Sequence, residues 1–145
     1  MTTTILLTVS LLILSLILKS LGRPWYKPTQ NSGGLYDWYS CSHFLHGFLF
    51  MFFSLPVCIF LECLWEVIEN TPYVINKYRR KGYKDYAGDS IVNSCMDVVF
   101  CVSGWYVATT ITLIPTIVVF VLLEVVMYIA IKDNLTLNII KIIKP

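Results

Sequence analysis

The run Glu62-Cys63-Leu64-Trp65-Glu66-Val67-Ile68-Glu69-Asn70, followed across a basic connection by Asp89-Ser90-Ile91-Val92-Asn93-Ser94-Cys95-Met96-Asp97, decides the fold of this chain. Its carboxylates and carboxamides interrupt sequence that is otherwise almost wholly apolar. Glu62, Glu66, Glu69 and Asn70 recur at helical spacing, and Asp89, Asn93 and Asp97 repeat it at i, i+4 and i+8. At about 100° per residue each set falls within an arc of roughly 60–80°, so each of two helices carries one polar stripe. The connection between them holds Lys77, Arg79, Arg80, Lys81 and Lys84.

Composition sets the environment of those stripes. The chain has 145 residues, 57% of them hydrophobic, and a mean hydropathy of +0.69, more apolar surface than one soluble domain of this size can bury. The expectation is one membrane domain over residues 1–145. A formal charge of +2, with the basic residues at helix ends instead of interleaved with aromatics, argues against nucleic acid. Five cysteines without a CxxC spacing, three of them (Cys58, Cys63, Cys101) in apolar runs, read as buried thiols instead of a disulfide framework.

In chain order, residues 4–21 read as a retained first span, closed by Lys19 and Arg23, and residues 22–41 as an interfacial loop with aromatic anchors. Ser42 is a candidate N-cap for the next apolar segment, which carries His43 and His46 one turn apart. From His43 to Asn70 two architectures compete. A single helix of about 42 Å would carry the histidines and the glutamates to opposite surfaces. A re-entrant hairpin of helices 43–54 and 56–70, broken at Pro56, would put them on one surface, with its backbone buried in protein. Residues 71–88 read as a basic loop. Two antiparallel helices, 89–109 and 112–131, follow, with Ser103, Gly104 and Ala108 as small packing surfaces and Glu124 as a helix–helix hydrogen-bond partner. An amphipathic Ile/Lys tail is expected along the interface. The fold class is all-α, a polytopic bundle of four to five membrane helices.

Intramembrane acids default to function or to a paired structural role. For Glu66, Glu69, Asp89 and Asn93, at helix ends, the ordinary structural reading is an interfacial cap or a salt bridge to Lys77, Arg79 or Arg80. Glu62 and Asp97 lie deeper, where that reading is weaker. His43 and His46 are either plain hydrogen-bonding groups or metal ligands and proton carriers.

The strings Asp37-Trp38-Tyr39, Ser42-His43-Phe44-Leu45-His46-Gly47, Trp65-Glu66-Val67-Ile68-Glu69-Asn70-Thr71, Gly88-Asp89-Ser90 and Asp133-Asn134-Leu135-Thr136-Leu137-Asn138 resemble those of an uncharacterised family of small bacterial inner-membrane proteins, over residues 35 to 145. The order His, Glu, Arg, Asp, Asn more distantly resembles VanZ-type proteins, linked to glycopeptide tolerance at the cell envelope. The resemblance implies an inner-membrane location and a lean toward envelope lipids. It also implies an apolar stretch for two full spans where this chain has the shorter Phe50–Leu61, which favours a shortened hairpin.

Two functions follow as expectations. In the first, a cluster of His43, Arg79, Arg80, Asn93, Asp97 and Asn70 with the acids binds a membrane lipid, a headgroup or a protein partner. The alternative is a metal-assisted enzyme acting on a lipid-linked phosphate or headgroup. There His46, Glu66, Glu69 and Asp89 would be catalytic, and Glu66, Glu69, Asp89 and Asp97 the candidate ligands of a divalent cation. The excess of basic residues at 77–84 puts that loop in the cytoplasm of a multi-pass protein.

Overall fold

The computed structural model describes residues 35–144. The expected span 4–21 and residues 22–34 of the expected interfacial loop lie outside them. The described residues form helices and no strand: α1 (Ser40–Leu49), a 3-10 turn (Phe50–Phe52), α2 (Leu55–Glu69), α3 (Pro72–Arg80), α4 (Ile91–Thr110), α5 (Leu113–Ile131) and α6 (Leu135–Ile143).

α1 begins earlier than Ser42. The Asp37 carboxylate accepts from the Tyr39 and Ser40 amides at 2.7 and 3.3 Å, and the Asp37 amide donates back to the Ser40 hydroxyl at 3.2 Å, a reciprocal cap. Ser42 is instead buried, with its hydroxyl 3.8 Å from Met127 Sδ. The break in the apolar segment falls at Phe53 and Ser54, both extended, and Pro56 lies in the first turn of α2, where its missing N–H costs nothing. The Trp105 indole N–H donates to the Phe53 carbonyl at 3.0 Å, so an α4 side chain satisfies the hinge backbone.

Beyond the hinge, α2 runs back so that Glu62 and Glu66 meet His43 of α1. A continuous helix would separate His43 and Glu69 by about 39 Å; their side chains here approach to 3.9 Å. α1 packs most extensively on α4, and α2 also rests on α4.

The segment expected as a basic loop contains α3. Thr71 caps it, accepting from the Val74 amide at 3.5 Å, and Pro72 occupies its first turn. α4 starts at the Ser90 cap, and α4 and α5 are separated by Ile111 and Thr112. These two helices, of 20 and 19 residues, are long and apolar enough to cross a membrane. α5 ends on Lys132 in the left-handed region (φ 60°). Glu124 bonds the next helix by capping its N-terminus: its oxygens accept from the Leu135 and Thr136 amides at 2.9 and 3.2 Å. Of the cysteines expected in the interior, Cys58 and Cys101 are buried, but Cys63 is exposed.

Candidate functional site

The polar stripes converge where α1, the end of α2 and the start of α4 meet. Glu62 has no exposed surface, and its carboxylate joins both histidines: His43 Nδ1 lies 2.5 Å from Oε1 and His46 Nδ1 2.9 Å from Oε2. His43 also faces the rest of the cluster. Glu66 Oε1 is 3.3 Å from Nδ1, while Glu69 Oε2 and Asp97 Oδ2 are 3.9 and 3.8 Å from Nε2. The Ser40 hydroxyl donates to Asp97 Oδ1 at 2.6 Å, tying the first residue of α1 to α4.

Two buried atoms in this cluster lack a hydrogen-bond partner: Glu69 Oε2 and Asn93 Nδ2. Glu69 and Asn93 line a partly enclosed cavity of about 30 Å³ whose walls also include His43, Asp89 and Asp97. That volume admits an ion with a water or two.

Tyrosines form the mouth. Tyr39, Tyr78, Tyr83 and Tyr86 line the cavity; Tyr78 donates to Glu69 Oε1 at 3.3 Å and Tyr86 to Asp89 Oδ2 at 2.9 Å. Burial first, and neighbouring carboxylates second, push the Tyr78 and Tyr86 phenols well above the usual tyrosine range, so both remain neutral donors. Asp37, also on the wall, is pushed up to about 6 by burial and then by the Asp89 charge, against the Tyr39 and Ser40 amides and His43.

The chain's end pins this mouth. Asp133 is buried and its Oδ2 accepts from Tyr39 at 2.8 Å, from Tyr83, and from the Lys141 ammonium at 2.7 Å. Lys141 also donates to the Tyr83 hydroxyl at 2.6 Å. Asn70 has a positioning part: its Nδ2 donates to the Glu66 carbonyl at 2.9 Å and its Oδ1 accepts from the Asp89 amide at 2.6 Å. Gly88, at φ +90°, lets the chain pass there, because a Cβ would come within 2.8 Å of Asn70 Oδ1.

The structure thus gathers His43, His46, Glu66, Glu69, Asp89, Asn93 and Asp97, with Asn70 bracing them. It does not bring in the arginines. Arg79 is exposed and donates to the Tyr86 carbonyl at 2.6 Å, Arg80 is exposed, and among the described residues no lysine or arginine lines the cavity. α3 turns their side chains outward, where hydration of the guanidinium is retained. The sequence reading left out Asp37, the four tyrosines, Asp133 and Lys141. Asp37-Trp38-Tyr39 and the Asp133 string stand out as polar motifs, but nothing in their spacing ties them to positions 43–97. Glu62 stands out in the sequence by its depth, but its spacing does not reveal its bridging part between the histidines.

Fold and site define a class: a small protein whose described residues form apolar helices enclosing a histidine and carboxylate cluster. The chain belongs to the family described as protein of unknown function (DUF2585), which matches residues 18–145. It is 37% identical to a UPF0314 protein of Brucella anthropi over 130 residues, covering 81% of this chain and 66% of that relative. The UPF0314 protein of Agrobacterium fabrum is 36% identical over 135 residues (84% and 68%), and that of Rhizobium meliloti 37% over 132 (82% and 67%). The chain spans about two thirds of the length of these relatives. No solved structure matches it.

Proposed function

We propose that this is an integral inner-membrane protein in which α4 and α5 span the bilayer, α1 and α2 form a re-entrant hairpin, and the cluster at the hairpin's open end receives a membrane lipid by its headgroup. Three features support the membrane reading. α5 leaves most of its Leu, Ile and Val side chains exposed, as lipid-facing residues are. α4 and α5 measure about 30 and 28 Å at 1.5 Å per residue, the thickness of a hydrocarbon core. The hinge between α1 and α2 keeps its Phe53 carbonyl bonded inside protein, the condition for irregular backbone at membrane depth. The basic residues at 77–84, with Lys141 and Lys144, support a cytoplasmic side for this end.

The observation that carries the lipid reading is a lateral groove of about 550 Å³ between α2 and α4. Val67, Ile91 and Val98 give it apolar walls, and Glu66, Asn70 and Asp89 form its polar end. An amphiphile matches that division, chain along the walls and headgroup at the acids. In native mass spectrometry of protein released from membranes, wild type should retain lipid and the exposed-site variant Val67→Trp should lose most of it. Equal retention by both, or a co-purifying protein in place of lipid, contradicts the reading.

A second reading is a metal-assisted enzyme on a lipid-linked phosphate. It is favoured by the histidine on the cavity wall: His43 sits where an acid or base would be needed. Release of inorganic phosphate from a polyprenyl diphosphate, abolished by His43→Gln, tests it.

A further inference from the structure

The geometry points to a divalent transition-metal site in the cavity beside His43, with His43 Nε2, Glu69 Oε2 and Asp97 Oδ2 as ligands and Glu66 completing the set. This inference goes beyond the lipid reading and does not depend on it. His43 Nδ1 is taken by Glu62 at 2.5 Å, which leaves Nε2 as the nitrogen facing Asp97 and Glu69 at 3.8 and 3.9 Å. A carboxylate holding the far nitrogen of an imidazole is the outer-shell arrangement that orients a metal-binding histidine. Ligands bonded at ~2.1 Å to one cation lie about 3–3.5 Å from each other, so these atoms need to close by only a few tenths of an ångström. Ligand atoms of His43, Glu66 and Asp97 also all fall within 4.8 Å of one another.

The unsatisfied atoms supply an independent sign. Glu69 Oε2 is buried, lines the cavity and has no hydrogen-bond partner. Unpaired buried acceptors are costly unless a cation or donor meets them. Asn93 is 1% exposed, lines the same cavity, and its Nδ2 has no acceptor. A cation carrying a water or an anion oxygen satisfies both at once: metal for the carboxylates, bound oxygen for the amide. Six carboxylates (Asp37, Glu62, Glu66, Glu69, Asp89, Asp97) surround two imidazoles here, and no lysine or arginine lines the cavity. The mixed N and O donor set fits Mn²⁺, Fe²⁺ or Zn²⁺ better than Mg²⁺ or Ca²⁺, which take oxygen. The other grouping, His43, His46 and Glu62, already satisfies its own hydrogen bonds and serves as the outer shell.

The test uses full-length protein purified in detergent without chelator. Elemental analysis should find about one Mn, Fe or Zn per chain, and chelator-treated protein should rebind Mn²⁺, read by loss of the free-ion EPR signal. Glu66→Gln and Asp97→Asn, checked for folding by circular dichroism, should weaken Mn²⁺ binding at least ~10-fold to 100-fold, and Asp85→Asn, at an exposed acid away from the cavity, should not. Pulsed EPR of the Mn²⁺ form with ¹⁵N-labelled histidine should show one directly bound imidazole. No stoichiometric metal in the folded wild type, unchanged binding in both variants, or two bound imidazoles would each overturn the assignment.

Discussion

Gly47 of α1 and Gly104 of α4 stand back to back, with no room for a side chain on either. A Cβ on Gly47 would lie 2.1 Å from the Cys101 carbonyl oxygen and 2.3 Å from the Trp105 amide nitrogen, and one on Gly104 would lie 1.9 Å from the Phe44 carbonyl oxygen. His43 is four residues before Gly47 and Asp97 seven before Gly104, so each lies on the same helix face as its glycine. The close crossing of α1 and α4 is therefore what brings the imidazole to the acid. Because the atoms in the way are backbone, relief requires the helices to part. Gly104→Ala should cost about 3 kcal/mol or more in detergent unfolding, while Ser103→Ala beside it should stay within ~0.5 kcal/mol. An unperturbed Gly104→Ala melting transition would contradict the crossing.

Glu62 is the second determinant of that arrangement. It is fully buried and holds both histidines. Glu62→Ala leaves two imidazoles facing a void and should lower stability by about 3–5 kcal/mol. Glu62→Gln retains an oxygen for one imidazole and offers an N–H to the other, so its cost should be nearer 1–2 kcal/mol. Equilibrium unfolding of both variants measures the difference; equal costs would mean that the volume and hydrogen bonds kept by the amide contribute nothing and that the charge alone holds the histidines.

Asp37 introduces a pH dependence with a definite sign. Its carboxyl is held at about 6, above its unfolded value near 4, so the folded chain keeps the proton longer. Stability from this group is highest below pH ~4 and falls as pH rises to about 6, then stays level. Asp37→Asn keeps the oxygen that caps α1 and removes the penalty. In chelator-treated protein it should be about as stable as wild type at pH 4 and more stable at pH 7.5, by on the order of 1 kcal/mol given the side chain's partial exposure. A variant less stable at pH 7.5 would show that the charge is favourable where it sits.

The local parts of this fold were legible and the long-range ones were not. The i, i+4, i+7 spacing of Glu62, Glu66 and Glu69, and the i, i+4, i+8 spacing of Asp89, Asn93 and Asp97, put each set on one face because helical geometry leaves no alternative. The Ser54-Leu55-Pro56 string marked the interruption, although Pro56 starts a helix instead of ending one. Thr71-Pro72 is a helix-start signal of the same kind, and it was submerged by the charge of residues 77–84. Charge sign alone points Arg79 and Arg80 to the cluster, yet their helix faces them outward. The Asp133 contacts with Tyr39, Tyr83 and Lys141 join residues up to 94 positions apart. Periodicity within a window carries no information about pairings of that kind.

On the proposed membrane placement, the fold-back between α1 and α2 puts the histidines and the glutamates at one membrane surface. Single cysteines at Leu35→Cys and at Thr71→Cys, in a background with the five native cysteines replaced, can be labelled with a membrane-impermeant maleimide in sealed inverted vesicles and in intact spheroplasts. Both should react in inverted vesicles and resist labelling in spheroplasts. Labelling of the two positions from opposite sides would establish a single traversing helix and remove His43 and His46 from the acids.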